Sequence, residues 1–102
     1  MRRIGNEHMD TRGLKELRDW NRVLSDGTRL RIVEQLARHE LTVMEIARSL
    51  RTSQPLVSWH LHRLKQIGLV RMVRNGREVH CSLDHTRLQE YQRQFAALIA
   101  DQ

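Results

Sequence analysis

Apolar residues recur at helical spacing through most of the chain and at strand spacing in one short stretch. Leu14, Leu17, Trp20 or Asn21, and Leu24 follow a period near 3.5 and predict a first helix over Thr11–Leu24. Ser25 and Asp26 stop it and cap a second, from about 27 to 38, in which Leu30, Ile32, Val33, Leu36 and Ala37 are apolar. So high an apolar share predicts a core helix. Thr42-Val-Met-Glu45 has the form of a capping box, in which the Thr hydroxyl and the Glu carboxylate satisfy two free amides reciprocally. It predicts a short helix over Val43–Leu50 with Ile46, Ala47 and Leu50 turned inward. A tight link, Arg51-Thr52-Ser53, leads to a helix between Ser53 and Gly68. Ser53 suits its N-cap, Pro55 its first turn, and Gly68 the left-handed position that ends it. Val57, Leu61, Leu64 and Ile67 form its apolar stripe, and Ser58, Trp59, His62 and Gln66 lie on the opposite side.

After Gly68 the period falls to two. Val70 and Met72 alternate with Arg71, Asn75-Gly76 supplies a two-residue turn, and Val79, Cys81 and Leu83 alternate on the return. Asp84 then caps a last helix, about 85 to 100, with Leu88, Tyr91, Phe95, Leu98 and Ile99 as its stripe. Residues 1–10 are polar and aperiodic, and predict a loose arm before a single domain over 11–102. The pattern predicts a mainly α (α+β) fold: a winged helix-turn-helix of five helices with a two-stranded β-hairpin wing. The first and last helices fall outside the winged core. A chain this small can hardly bury their apolar faces alone, which predicts a twofold homodimer built on them.

Charge sharpens this picture. The 102 residues carry a net charge of +6, and from Ile46 to Arg77 there are seven basic residues and no Asp or Glu. The remainder is nearly neutral, so the excess lies on one helix and one hairpin and favours a polyanion partner. A helix with a dry back and a front of hydrogen-bonding and cationic groups suits the major groove of DNA. Ser53, Gln54, Ser58, Trp59, His62 and Arg63 are its candidate contacts, and Arg74, Asn75 and Arg77 at the hairpin tip suit the phosphate backbone. Trp59 could meet a thymine methyl or fold back onto the protein. An ordinary amphipathic surface helix, or a module whose helix front docks an acidic protein through Trp59, is the competing interpretation. Enzymatic chemistry has little support, because no Gly-rich phosphate loop, nucleophile–base arrangement or paired-carboxylate site stands out. The single cysteine, Cys81, excludes an intrachain disulfide and points to a reducing, cytoplasmic setting. No apolar run approaches the ~20 residues of a membrane span.

The chain resembles the ArsR/SmtB family of bacterial winged-helix repressors. The resemblance rests on Leu24-Ser-Asp-Gly-Thr-Arg-Leu-Arg-Ile32, Leu41-Thr-Val-Met-Glu-Ile-Ala47, Ser53-Gln-Pro-Leu-Val-Ser-Trp-His-Leu61, Gly68-Leu-Val70 and Arg74-Asn-Gly-Arg-Glu-Val79. It implies a dimer that occupies an operator and blocks transcription until an effector lowers its affinity. It also implies that Gln54, Ser58 and Trp59 face bases while Arg74 and Arg77 hold the backbone. His60, on the apolar side, is expected to be a hydrogen-bonded structural residue. The thiolate site of many relatives, Cys-Val-Cys, reads Thr42-Val43-Met44 here. The site that other relatives build on the last helix falls on His85, Arg87, Leu98 and Asp101, of which Arg87 and Leu98 cannot be ligands. A variant site for nickel or zinc would have to use His85 and Asp101 with His8 or Asp84.

Overall fold

A computed structural model of the protein describes residues 10–100. His8 and Asp101, two of the candidate metal ligands, lie outside the described residues, as does nearly all of the expected N-terminal arm. The element order is α1 (Thr11–Leu24), α2 (Gly27–Leu36), β1 (Leu41–Thr42), α3 (Val43–Leu50), α4 (Gln54–Gln66), β2 (Val70–Asn75), β3 (Glu78–Leu83) and α5 (His85–Ile99).

Side-chain caps start every helix. Asp10, Asp26, Thr42, Ser53 and Asp84 each accept a hydrogen bond from an amide three residues on, and Thr42 and Glu45 complete the reciprocal box. Helix α2 ends at Leu36, two residues before its expected end, and α5 ends at Ile99. Gly68, at φ +81°, follows the C-cap of α4. A Cβ there would come within 2.7 Å of Arg87 Nε, so both the backbone and the neighbour call for glycine.

β2 and β3 form the hairpin, with Val70 opposite Leu83, Met72 opposite Cys81 and Arg74 opposite Val79. The predicted inward face is the one that is covered. A third strand was not expected: the two residues of β1 pair antiparallel with β3, Leu41 opposite Cys81 and Thr42 opposite His80. Two residues show no alternation, so this strand leaves no periodic signal. It ties the base of the wing to the start of α3.

The core gathers Leu17 and Trp20 of α1, Ile32 and Leu36 of α2, Ile46 of α3, Val57, Leu61 and Leu64 of α4, and Leu69, Cys81 and Leu83 around the sheet. Two expectations shift. In α1 the buried stripe is Leu17, Trp20 and Val23, with Leu14 at the surface. In α2 it is Arg29 that is buried and Leu30 that is half exposed. The reason is tertiary. Arg29 Nη1 donates to the Val23 carbonyl (3.1 Å) and Nε to His60 Nδ1 (3.0 Å), so a guanidinium bolts the end of α1 to the back of α4. His60 is the structural histidine expected of it.

A second bolt lies at the C-terminal end of α4. Trp20 Nε1 donates to the Ile67 carbonyl at 3.1 Å, and Arg87 Nε approaches the same oxygen at 3.5 Å. The Arg87 guanidinium lies over the Trp20 ring and pairs with Glu16 and Glu90. Tyr91 packs edge-on to Trp20 and donates its hydroxyl to Asn21. These contacts hold α5 on α1, yet no residue of α5 is fully buried, and Phe95, Leu98 and Ile99 stay exposed, as does Leu14 of α1.

Candidate nucleic-acid interface

Helix α4 is fixed at its middle and at its C-terminal end and lies back-down on the core, so its remaining side chains are presented rather than packed. Gln54, Pro55, Ser58, His62 and Lys65 line one wall of a groove of about 590 Å³. The wing supplies the other wall with Arg74, Arg77 and Glu78, and Thr42, Val43, Met44, Met72 and Val79 complete the lining. The groove therefore offers amide, hydroxyl and imidazole groups on the helix side and guanidinium groups on the wing side. Apolar Pro55, Met44 and Met72 lie among them. Glu78 is its single carboxylate, and it sits 3.3 Å from His80 Nε2. Arg74, Arg77 and Lys65 have no carboxylate partner among the described residues, so their charge is free to meet an anion.

Most of the residues expected to touch DNA are brought together here. Gln54, Ser58, His62, Arg74 and Arg77 share the groove. Ser53 stands at its end as the N-cap of α4, spending its hydroxyl on the Leu56 amide (3.3 Å), and Asn75 lies at the exposed tip of the wing. Trp59 and Arg63 are displaced to the flank of α4. The Trp59 ring is half exposed and has Arg29 at 5.1 Å on one hand, Arg63 at 6.0 Å on the other, and His60 edge-on at 5.0 Å. A helix turns about 100° per residue, so Ser58 and Trp59 cannot both face the groove, and the groove takes Ser58. Lys65, which flanks the polar front of α4 in the sequence, was not among the expected contacts but lines the groove, and Met44 was missed. Lys65 is signalled by its place seven residues after Ser58 on the same helical face, whereas Met44 reaches the groove only through the packing of α3 on α4.

Two carboxylates beside the interface are held low. The Arg87 backbone amide, and then the Arg71 guanidinium at 3.0 Å, keep Asp84 below the usual range. The Thr42 amide does the same for Glu45. Burial pushes the Cys81 thiol up to about 11, which makes it packing rather than a reactive group. The described residues contain no group of three His, Cys, Asp or Glu able to hold a metal ion. Asp84 has both oxygens engaged, by the Arg87 amide and by Arg71, while His85 is exposed on α5.

A helix-turn-helix whose second helix shares a basic groove with a β-hairpin defines a winged-helix DNA-binding domain. Comparison with known proteins agrees. The family model for "Bacterial regulatory protein, arsR family" matches residues 26–72. A "Transcriptional repressor SmtB homolog" of Synechocystis sp. is 31% identical over 96 residues, covering 94% of this chain and 73% of that protein. The structure of an "ArsR-like Transcriptional Regulator" from Rhodococcus sp. superposes with a TM-score of 0.76 at 30% identity, over 85% of this chain and 82% of the other. A homodimeric winged helix-turn-helix DNA-binding domain from Mycobacterium bovis shares the fold at 24% identity and a TM-score of 0.71, over 97% of this chain and 91% of the other. The chain belongs to the ArsR family of transcriptional regulators. No helix among the described residues is long and apolar enough to cross a membrane.

Proposed function

We propose that the protein is a repressor that binds double-stranded operator DNA as a homodimer, with α4 in the major groove and the wing against the flanking backbone. The observation that carries this reading is the groove itself. Its helix wall holds the base-reading groups Gln54, Ser58 and His62 with Lys65 at their edge, and its wing wall holds the unpaired Arg74 and Arg77, which is the division of labour between reading and anchoring that duplex recognition needs. Gln54 and Ser58 read base edges, His62 and Lys65 border them, and Arg74 and Arg77 hold phosphates. Trp59 stands outside the groove and so acts from the side, against sugar or backbone.

Pairing follows from α1 and α5. Leu14, Phe95, Leu98 and Ile99 leave an apolar surface across two helices that the monomer does not cover. A twofold partner would cover it and set two α4 helices on successive major-groove faces, about 34–36 Å apart, on a near-palindromic site.

The residues do not fit a metal effector of the kind the family suggests. Arg87 is an ion-paired guanidinium and Asp84 is spent on capping and on Arg71. Release by a small organic molecule, or binding without release, accords better with this arrangement. Titrating nickel or zinc into the purified dimer with and without operator tests the point, since a true effector must lose affinity in the same proportion as the DNA does.

The central test is a gel-shift series against the DNA upstream of the protein's own coding region, over a range of salt. Ser58→Ala and Gln54→Ala are expected to lose roughly 1–3 kcal/mol at particular base pairs, whereas Arg77→Ala weakens all sequences alike. Equal losses on every sequence from all three changes would refute the assignment. A sample that sediments as a monomer and ignores duplex DNA at low salt would refute the function.

A further inference from the structure

We propose that the DNA-binding surface does not end at α4 but continues over the helix-turn-helix link to the start of α2, with Arg51 as its phosphate clamp. This rests on the DNA-binding reading above and extends it to residues which that reading leaves idle.

Three hollows run in series. The groove between α4 and the wing shares Met44 and Gln54 with a shallow depression of about 630 Å³ over the α3–α4 link. That depression shares Arg51 and Thr52 with a third, of about 520 Å³, floored by Gly27 and Thr28 of α2 and flanked by Arg31. The track thus passes from Arg74 and Arg77 at one end, past the start of α4, to Arg48, Arg51 and Arg31 at the other. No Asp or Glu lines the second or third hollow. A duplex seated in the groove must cross the N-terminal end of α4, and the strand bordering its major groove then runs over this link.

Arg51 is the centre of the extension for a second, independent reason. It is the C-cap of α3 and sits at φ +54°, ψ +47°, making it the sole non-glycine residue with positive φ among the described residues. A left-handed C-cap is the place for glycine or asparagine, and a long side chain there carries strain. Strained backbone retained with a functional side chain is a recognised mark of a binding site. The guanidinium is exposed and has no carboxylate partner among the described residues, unlike Arg31, which lies 3.7 Å from Glu34. Thr52 and Thr28 border the third hollow with hydroxyls, which also serve phosphate oxygens.

Two variants test this, Arg51→Gly and Arg51→Lys, each titrated against its own upstream DNA and against an unrelated duplex of about three helical turns (~30 base pairs). Glycine relieves the strain, so Arg51→Gly is expected to melt no lower than wild type. Its log affinity against log salt is nevertheless expected to be shallower by about 0.9 per protomer, equally on both duplexes. Arg51→Lys keeps the charge and is expected to keep the slope. Ethylation interference is expected to show phosphate contacts beyond the α4 half-site that vanish in Arg51→Gly. An unchanged slope in Arg51→Gly, or a slope lost as fully in Arg51→Lys, overturns the clamp. Failure of the wild-type protein to bind either duplex at low salt would instead overturn the parent reading.

Discussion

Removing the guanidinium of Arg29 is the most demanding check on the way this structure is held. Arg29 and Arg31 stand two residues apart on α2 and are the same chemical group. Arg29 is 7% exposed and donates to the Val23 carbonyl and to His60 Nδ1 at 3.1 and 3.0 Å. Arg31 points to solvent, with a loose partner in Glu34 at 3.7 Å. Hydrogen bonds from a charged donor contribute about 1.5–3 kcal/mol each, and Arg29→Ala also leaves two buried acceptors without their donor. Against this, the variant no longer has to desolvate a cation, which returns part of the loss. The net expectation is a destabilisation of about 2–4 kcal/mol for Arg29→Ala and less than about 0.5 kcal/mol for Arg31→Ala. Urea unfolding followed by far-ultraviolet circular dichroism measures both, with the m-value checking that the unfolded state is unchanged. Arg29→Lys is expected to fall between them, because one ammonium cannot span both acceptors in the fixed fork of a guanidinium. If Arg29→Ala proves no more costly than Arg31→Ala, the buried bolt between α1, α2 and α4 is not what holds the reading helix in place.

Two further outcomes follow from the ionisable groups. Asp26, Asp84 and Glu45 are all held below their usual range, in each case chiefly by a backbone amide at a helix start. Groups whose folded pKa is depressed stabilise the fold above their unfolded pKa, near 4, and lose that contribution as pH falls through the lower folded value. Thermal melts are therefore expected to change little from these groups between pH 5 and 7 and to drop below about pH 4, with a shallower drop in Asp84→Asn; a fall centred near pH 6 would contradict this. Cys81 at about 11 carries roughly a hundredfold less thiolate than a thiol at 9.0, on top of its burial. Labelling by a disulfide reagent at pH 8 is expected to wait for unfolding, and rapid labelling of the folded protein would show that the wing opens.

What the sequence made legible was whatever is decided within a few residues. Caps at Asp26, Thr42, Ser53 and Asp84 and the glycine at 68 are local chemistry, and each lies where the letters place it, whereas the wing turns on Gly76-Arg77, one residue later than the expected Asn75-Gly76, because Asn75 pairs with Glu78 in the ladder. The misjudged burials turn on partners far away in the chain. Leu30 outranks Arg29 on any hydrophobic scale, yet Arg29 is inside because two acceptors from α1 and α4 await it. Leu24 and Val23 are equally apolar, and only the way α1 leans on α2 and α5 decides that Val23 is the more deeply buried. Trp59 was counted with Ser58 on one front, although adjacent residues on a helix diverge by about 100°. The groove needed one of them, and which one depended on where the wing came to rest. Most of the proposed reading surface was legible because it is a run of unpacked polar residues, and the proposed Arg51 track was not, because it joins three segments.

The two bolts explain how a domain this small can present α4 rigidly while keeping α1 and α5 available for pairing. The middle of α4 is held by Arg29 through His60, and its C-terminal end by Trp20 and Arg87 through a single carbonyl, that of Ile67. Trp20 belongs to α1 and Arg87 to α5, so both helices proposed to pair with a twin also touch the last turn of the reading helix. A change in how α1 and α5 pack on each other would reach α4 through the Ile67 carbonyl as well as through the core that Leu17 and Trp20 share with it. The Arg87 cation is meanwhile anchored by Glu16 and Glu90, one from each helix, which opposes such a shift. An effector that loosened the dimer's grip on DNA would therefore have to work against this ion-paired cluster. A ligand that competes for Glu16, Glu90 or the Trp20 face would act directly on the contact by which α1 and α5 reach the last turn of α4.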